Sequence, residues 1–101
     1  MFTLHGISFD PRRITALCRQ AGAVRGFLFG SILTDRFGVE SHIDILVETD
    51  PQRPVGIFAL GGLQMDLTEF LGREVHLTSL GGVPPAERPR LLATAMSLDA
   101  A

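Results

Sequence analysis

Two short stretches of the chain hold residue types suited to chemistry: Gly30-Ser31, and His42 with Asp44 two positions on. Phe27-Leu28-Phe29, just before Gly30, is an apolar run too short for a helix and flanked by glycines, so it predicts a buried strand. Gly30 then allows a sharp turn, and Ser31 falls where a short helix would start. The free N–H groups of such a helix terminus suit a phosphate, although a strand-to-helix turn without a ligand carries the same local signature. From His42 to Val47 the pattern alternates: Ile43, Ile45 and Val47 share one strand face, and His42, Asp44 and Leu46 the other. An imidazole and a carboxylate at i and i+2 on one face can grip the same ion. Ser41 and His42 are not a nucleophile–base pair, because neighbours along a strand point to opposite faces, so serine hydrolase chemistry is set aside.

The surrounding elements must hold these residues in place. Asp10-Pro11 is a helix start in which Asp can cap and Pro tolerates the first position; Ile14, Leu17 and Cys18 follow at helical spacing, and Gly22 is the stop. His5 lies in a segment to which no element is assigned and is read as a surface or packing histidine. Thr49 to Pro54 is polar, holds two prolines and reads as a loop. Leu60, Leu63, Leu67, Phe70 and Leu71 describe an amphipathic helix ended by Gly72. Gly61-Gly62 inside that helix costs up to ~2 kcal/mol against two alanines, which points to a kink or a close backbone approach. Arg73 to Thr78 alternates as a strand with Val75 and Leu77 on one face and Glu74, His76 and Thr78 on the other. Residues 80–85 form a Gly/Pro loop, and Arg90 to Ser97 predicts a last helix.

Composition excludes several function classes. With 101 residues, no internal repeat and no low-complexity segment, the chain reads as a single domain over residues 1–101. Hydrophobic residues at 46% and charged ones at 20% argue for a folded rather than a disordered chain. A net charge of −2 gives no electrostatic reason to expect nucleic-acid binding. Every basic residue other than histidine is Arg, a bias that genome composition explains as well as phosphate binding does. Cys18 is alone, so no intrachain disulfide forms; it reads as a small buried residue. Neither a leader-like N-terminus nor a run of ~18 apolar residues is seen, so a cytoplasmic protein without a membrane role is the expectation.

Taken together, LFGS, SHIDILVE, a helix running into LGREVHLTS, and a short terminal helix resemble the minimal nucleotidyltransferase (MNT) family. This is a branch of the DNA polymerase beta-like nucleotidyltransferases, and many of its bacterial and archaeal members act as antitoxins to HEPN-domain toxins. The resemblance runs from Val24 to Leu98. It implies an α+β fold, a small mixed sheet with helices packed mainly on one face, in which the strand carrying His76 lies beside the one carrying Asp44. Family members pair Gly-Ser with Asp-x-Asp on the next strand and a third Asp after the long helix. Gly30, Ser31 and Asp44 match, whereas His42 and His76 stand where the other two carboxylates would be. The Arg often found just after Gly-Ser is also missing, Arg36 being the nearest base.

In intact members Gly-Ser holds the nucleotide phosphates while the carboxylates hold two Mg²⁺ ions for transfer from ATP to a hydroxyl. Replacing two of three carboxylates by imidazole removes charge and oxygen donors, so weak or absent Mg²⁺-dependent activity is expected. Three functions follow from the resemblance. One is an antitoxin-type partner of a HEPN toxin with a degenerate site, which the missing carboxylates favour. Another is an active enzyme moving AMP to a hydroxyl, such as a partner's tyrosine, with Mn²⁺ or a similar ion. The third is a metal module in which His42, Asp44 and His76 bind Zn²⁺ or Mn²⁺. A small sheet with open edges needs cover, from a protein partner or a second copy of the chain.

Overall fold

The computed structural model describes residues 1–99. Its centre is a four-stranded mixed sheet of order β5-β4-β3-β6, built from β3 (Ala23–Phe29), β4 (Ile43–Thr49), β5 (Val75–Ser79) and the two-residue β6 (Met96–Ser97). β3 and β4 are antiparallel, β4 and β5 parallel, and β6 lies antiparallel on the outer edge of β3. The parallel step needs a crossover, which α2 (Ile57–Leu71) supplies. α1 (Pro11–Gln20) precedes β3, and a short α3 (Arg88–Thr94) precedes β6.

Alternation along the strands accounts for the packing. Ile43, Ile45 and Val47 turn to one face and are fully buried with Leu28, against Ile14 and Cys18 of α1 and Leu63 and Leu67 of α2. Leu46, grouped by spacing with His42 and Asp44, is also fully buried, because a second apolar cluster of Phe27, Leu46 and Leu80 forms on the opposite face, with Leu91 and Leu92 of α3 against it. The two long helices therefore share one face, and the short α3 covers part of the other.

Several local expectations need correction. Asp10 makes no side-chain cap; only its carbonyl enters the helix ladder, accepting from the Ile14 N–H at 3.0 Å. The helix after Gly30 is one 3-10 turn, Gly30–Leu33. Gly61 and Gly62 face open space, with nothing within 4 Å of a Cβ built at either, and α2 runs through them unbroken, so no close backbone approach explains them. The last helix stops at Thr94, earlier than its spacing suggested, since β3 has an open edge whose backbone groups need partners. Met96–Ser97 pairs with Leu28 and Phe27, the Leu98 N–H donates to the Gly26 carbonyl at 2.9 Å, and the Gly26 N–H donates to Asp99 Oδ2 at 2.8 Å. At the other end, β1 (Phe2–Leu4) and β2 (Ile7–Phe9) form a hairpin around His5-Gly6, both at positive φ (52° and 77°), as a two-residue turn of the primed type requires.

α2 also protects the outer edge of β5. The outward N–H of Val75 donates to Thr68 Oγ1 at 3.1 Å and that of Leu77 to Gln64 Oε1 at 2.8 Å, so two side chains one helical turn apart occupy the donors that another strand would use. No helix among the described residues is long and apolar enough to cross a membrane.

Two outcomes follow from this packing. Gln64→Leu should lower the unfolding free energy by about 1 kcal/mol, read as a lower urea midpoint at unchanged m value, and increase self-association, since it frees an edge amide. Burial, reinforced by the Asp99 charge, pushes the Cys18 thiol up to about 11. The unfolded thiol loses its proton first, so stability should fall as pH rises from 9.0 to about 11, and a Cys18→Ala chain should lose that part of the decline in a pH series of urea melts.

Candidate functional site

Strand register brings the chemical residues together. Phe29 lies opposite Asp44 in the β3–β4 pair, so Gly30, one residue beyond, comes against the Asp44 carboxylate. Asp44 in turn lies opposite His76 in the β4–β5 pair. His42 sits just before β4, where the Ile43 N–H donates to the Glu74 carbonyl at 2.8 Å and fixes how the chain enters the sheet. Gly30, His42, Asp44 and His76 thus gather across three adjacent strands.

The side chains form a compact group. His42 Nε2 lies 2.9 Å from Asp44 Oδ1. The His42 and His76 rings stack with centroids 3.6 Å apart and planes 15° from parallel, and His76 Nε2 lies 3.2 Å from Glu74 Oε1. One ligand atom each from His42, Asp44 and His76 lies within 4.8 Å of the others. Side-chain exposure rises from 21% at Asp44 to 40% at His42 and 48% at His76, so the carboxylate forms the floor and the imidazoles the rim.

Gly30 has a stricter role than turning. Its φ of +77° disfavours any other residue, and a Cβ there would collide with the Asp44 carboxylate. Only a glycine lets the turn come so near the acidic floor. Ser31 is partly buried, and its carbonyl accepts from the Thr34 N–H and Thr34 Oγ1, both at 2.9 Å, closing the 3-10 turn. With one such turn in place of a longer helix, the electrostatic help for a phosphate comes from a few local amides and little macrodipole.

Three residues that the spacing did not mark as functional hold the loop between Ser31 and His42. Arg73 Nε donates to the Ser41 carbonyl at 2.8 Å, its Nη2 donates to the Gly38 carbonyl, and its guanidinium lies over the Phe37 ring, 4.7 Å from the centroid. The His5 ring also stacks on Phe37, at 4.9 Å between centroids, while its Nε2 donates to the Ile32 carbonyl at 3.1 Å. Phe37 is therefore in contact with a histidine of the N-terminal hairpin and with an arginine before β5, and the same histidine tethers the Gly30–Leu33 turn. These are contacts between segments remote in sequence; an Arg ahead of a strand is the one local signal of them.

The donor set determines which ion this group suits. Mg²⁺ takes hard oxygen ligands in near-octahedral geometry, whereas the cluster offers one carboxylate, already engaged by His42, and two imidazoles. The residues do not fit the pair of Mg²⁺ ions that the resemblance implies. A cleft of about 620 Å³ lined by Arg19, Asp50 and Arg53 lies at the far end of the β3–β4 pair and shares no residue with the cluster.

Comparison with known proteins agrees with this geometry. The model of the nucleotidyltransferase domain family matches residues 12–96, and that domain generally works with a divalent metal and a nucleoside triphosphate. A solved structure described as a putative minimal nucleotidyltransferase is 29% identical, with a TM-score of 0.73 over 85% of this chain and 86% of that one. A toxin–antitoxin structure with AMP-PNP is 22% identical, with a TM-score of 0.72 over 89% of this chain and 73% of that one. A tri-AMPylated Shewanella oneidensis HEPN toxin in complex with MNT antitoxin gives 21% identity and a TM-score of 0.64 over 87% and 67%. No protein of curated function matches the sequence. With a family model spanning nearly the whole described chain, and with Gly30 and Asp44 brought together at adjoining strand ends, the chain belongs to the nucleotidyltransferase domain family and has the minimal, MNT-like form of its fold.

Proposed function

We propose that this protein is an antitoxin-type partner that neutralises a HEPN-domain toxin by binding it, and that its own nucleotide cleft is too poor in carboxylates for Mg²⁺-dependent transfer. The observation that carries the proposal is the composition of the cluster. His42 and His76 flank Asp44, so a site built for three negative charges retains one, and that one lies 2.9 Å from His42 Nε2. The fold shared with MNT antitoxin complexes supports a protein partner. So do the exposed Ile57, Phe58 and Met65 of α2, apolar side chains suited to protein contact.

A second reading rests on what the cleft retains. Gly30, Ser31 and Asp44 keep the arrangement in which a nucleoside triphosphate would lay its phosphates along the turn, with ATP the natural candidate. Under this reading a hydroxyl, such as a partner's tyrosine, would attack the α-phosphorus of ATP and take AMP as pyrophosphate leaves, with Mn²⁺ or a similar ion in place of Mg²⁺. Asp44 would be the essential carboxylate and the two histidines its co-ligands.

Co-expression with a HEPN-domain toxin separates the two. Neutralisation by binding predicts that Ser31→Ala and Asp44→Asn still co-purify with the toxin and still restore growth. Retained binding with lost protection in Asp44→Asn would overturn the proposal in favour of transfer. Thermal melts of the isolated chain give an independent check. Ligand at a hundred times its dissociation constant adds about 2.7 kcal/mol, several degrees for a domain of this size. ATP with Mg²⁺ should move the midpoint by much less than that. A full shift that disappears in Ser31→Ala would restore an Mg²⁺-dependent enzyme.

A further inference from the structure

We propose that His42, Asp44 and His76 form a binding site for an imidazole-preferring divalent ion of the Zn²⁺ and Co²⁺ class, replacing the Mg²⁺ chemistry for which the fold is otherwise suited. This rests on the assignment of the cleft made above but not on the toxin-binding role. Its starting point is the misfit between the family's ion and this donor set. One carboxylate and two imidazoles are poor for Mg²⁺, and they are the ligand types from which three-residue zinc sites are commonly built.

Two features go beyond mere proximity. The first is the 2.9 Å between His42 Nε2 and Asp44 Oδ1. Two ligand atoms each about 2.05 Å from one ion are about 2.9 Å apart at a right angle and about 3.4 Å apart at the tetrahedral angle. The gap between this pair is therefore of the size an ion would bridge, and binding a metal there asks little movement of either side chain. The second is Glu74, whose Oε1 lies 3.2 Å from His76 Nε2. Metal-bound histidines usually donate their other ring N–H to a carboxylate, which fixes the tautomer and raises the basicity of the coordinating nitrogen. With Nε2–H turned to Glu74, His76 presents Nδ1 as its lone-pair donor.

The strands supply the preorganisation. His42 precedes β4 and lies on the same side as Asp44, and His76 is held opposite Asp44 by the parallel β4–β5 ladder, so two of the three ligands sit on regular strands. Three protein ligands leave a coordination position for water or for a phosphate oxygen arriving beside Gly30.

The test uses untagged full-length protein and the metals alone. Titration with Co²⁺ should give one equivalent bound per chain with visible d–d absorption, displaced by Zn²⁺ in competition with a chromogenic chelator and unaffected by millimolar Mg²⁺. Glu74→Gln, an exposed and structurally mild change, should weaken Zn²⁺ by roughly 10- to 100-fold. His42→Ala and His76→Ala should weaken it by more than that, and Asp50→Asn, in the remote cleft, should leave it unchanged. Absence of stoichiometric binding, equal binding by Mg²⁺, or affinity unaltered in a folded His42→Ala, His76→Ala double variant would overturn the proposal. Co-purification with the HEPN-domain protein is scored separately on the same variants, so the metal site can fail while toxin binding stands, and the reverse.

Discussion

The register of β4 is the constraint on which everything else depends. The strand pairs with β3 from Asp44 to Thr49 on one side and with β5 from Ile43 to Val47 on the other, and a slip of one residue would turn Ile43, Ile45 and Val47 out of the larger apolar cluster. The same register places Asp44 opposite both Phe29 and His76. Burial of three β-branched side chains on one face thus fixes the position of a single carboxylate on the other. The site is precise because the hydrophobic packing behind it would be lost by any other pairing.

Around that carboxylate the chain places two imidazoles where the family resemblance implies carboxylates. Gly30 is still held where only a glycine fits against Asp44, and the Gly30–Leu33 turn is tethered by His5 from the N-terminal hairpin. The intervening loop is gripped by Arg73, with Phe37 stacked against both Arg73 and His5. What the scaffold now surrounds is a stacked imidazole pair over one acid, a ligand field that favours softer ions over Mg²⁺. Binding a protein partner and holding a different metal make separate demands on the molecule, one on its surface and the other on this cleft.

The edges of the sheet are managed by quite different means. On one side Gln64 and Thr68 of α2 occupy the outward amides of β5. On the other, Met96–Ser97 leaves the helical pattern and pairs with β3, with the Asp99 carboxylate accepting from the Gly26 N–H. Neither solution is encoded in local propensity. Arg90 to Thr94 continues plausibly as helix into Ala95 and Met96, and it is the unpaired edge of β3, distant in sequence, that ends the helix.

Local pattern carried much of the fold. Alternation marked β4 and β5, the spacing of Leu60, Leu63, Leu67 and Leu71 marked α2, and Gly72, at φ +68°, ends that helix as its position predicted. These are properties of consecutive residues, so side-chain periodicity and glycine freedom suffice to find them. The hairpin at Phe2–Phe9 was not legible, because its strands are three residues each and its turn uses His5 rather than the usual Asn or Asp before glycine. The residue types of the candidate site, including the two histidines in carboxylate positions, were set by the sequence alone. That His42 reaches Asp44, that the two rings stack, that Glu74 turns to His76 and that Arg73 and His5 both meet Phe37 were decided only by the tertiary structure. Each of those contacts depends on rotamers, and all but two also on strand register or on segments far apart in sequence, neither of which is specified by spacing along the chain.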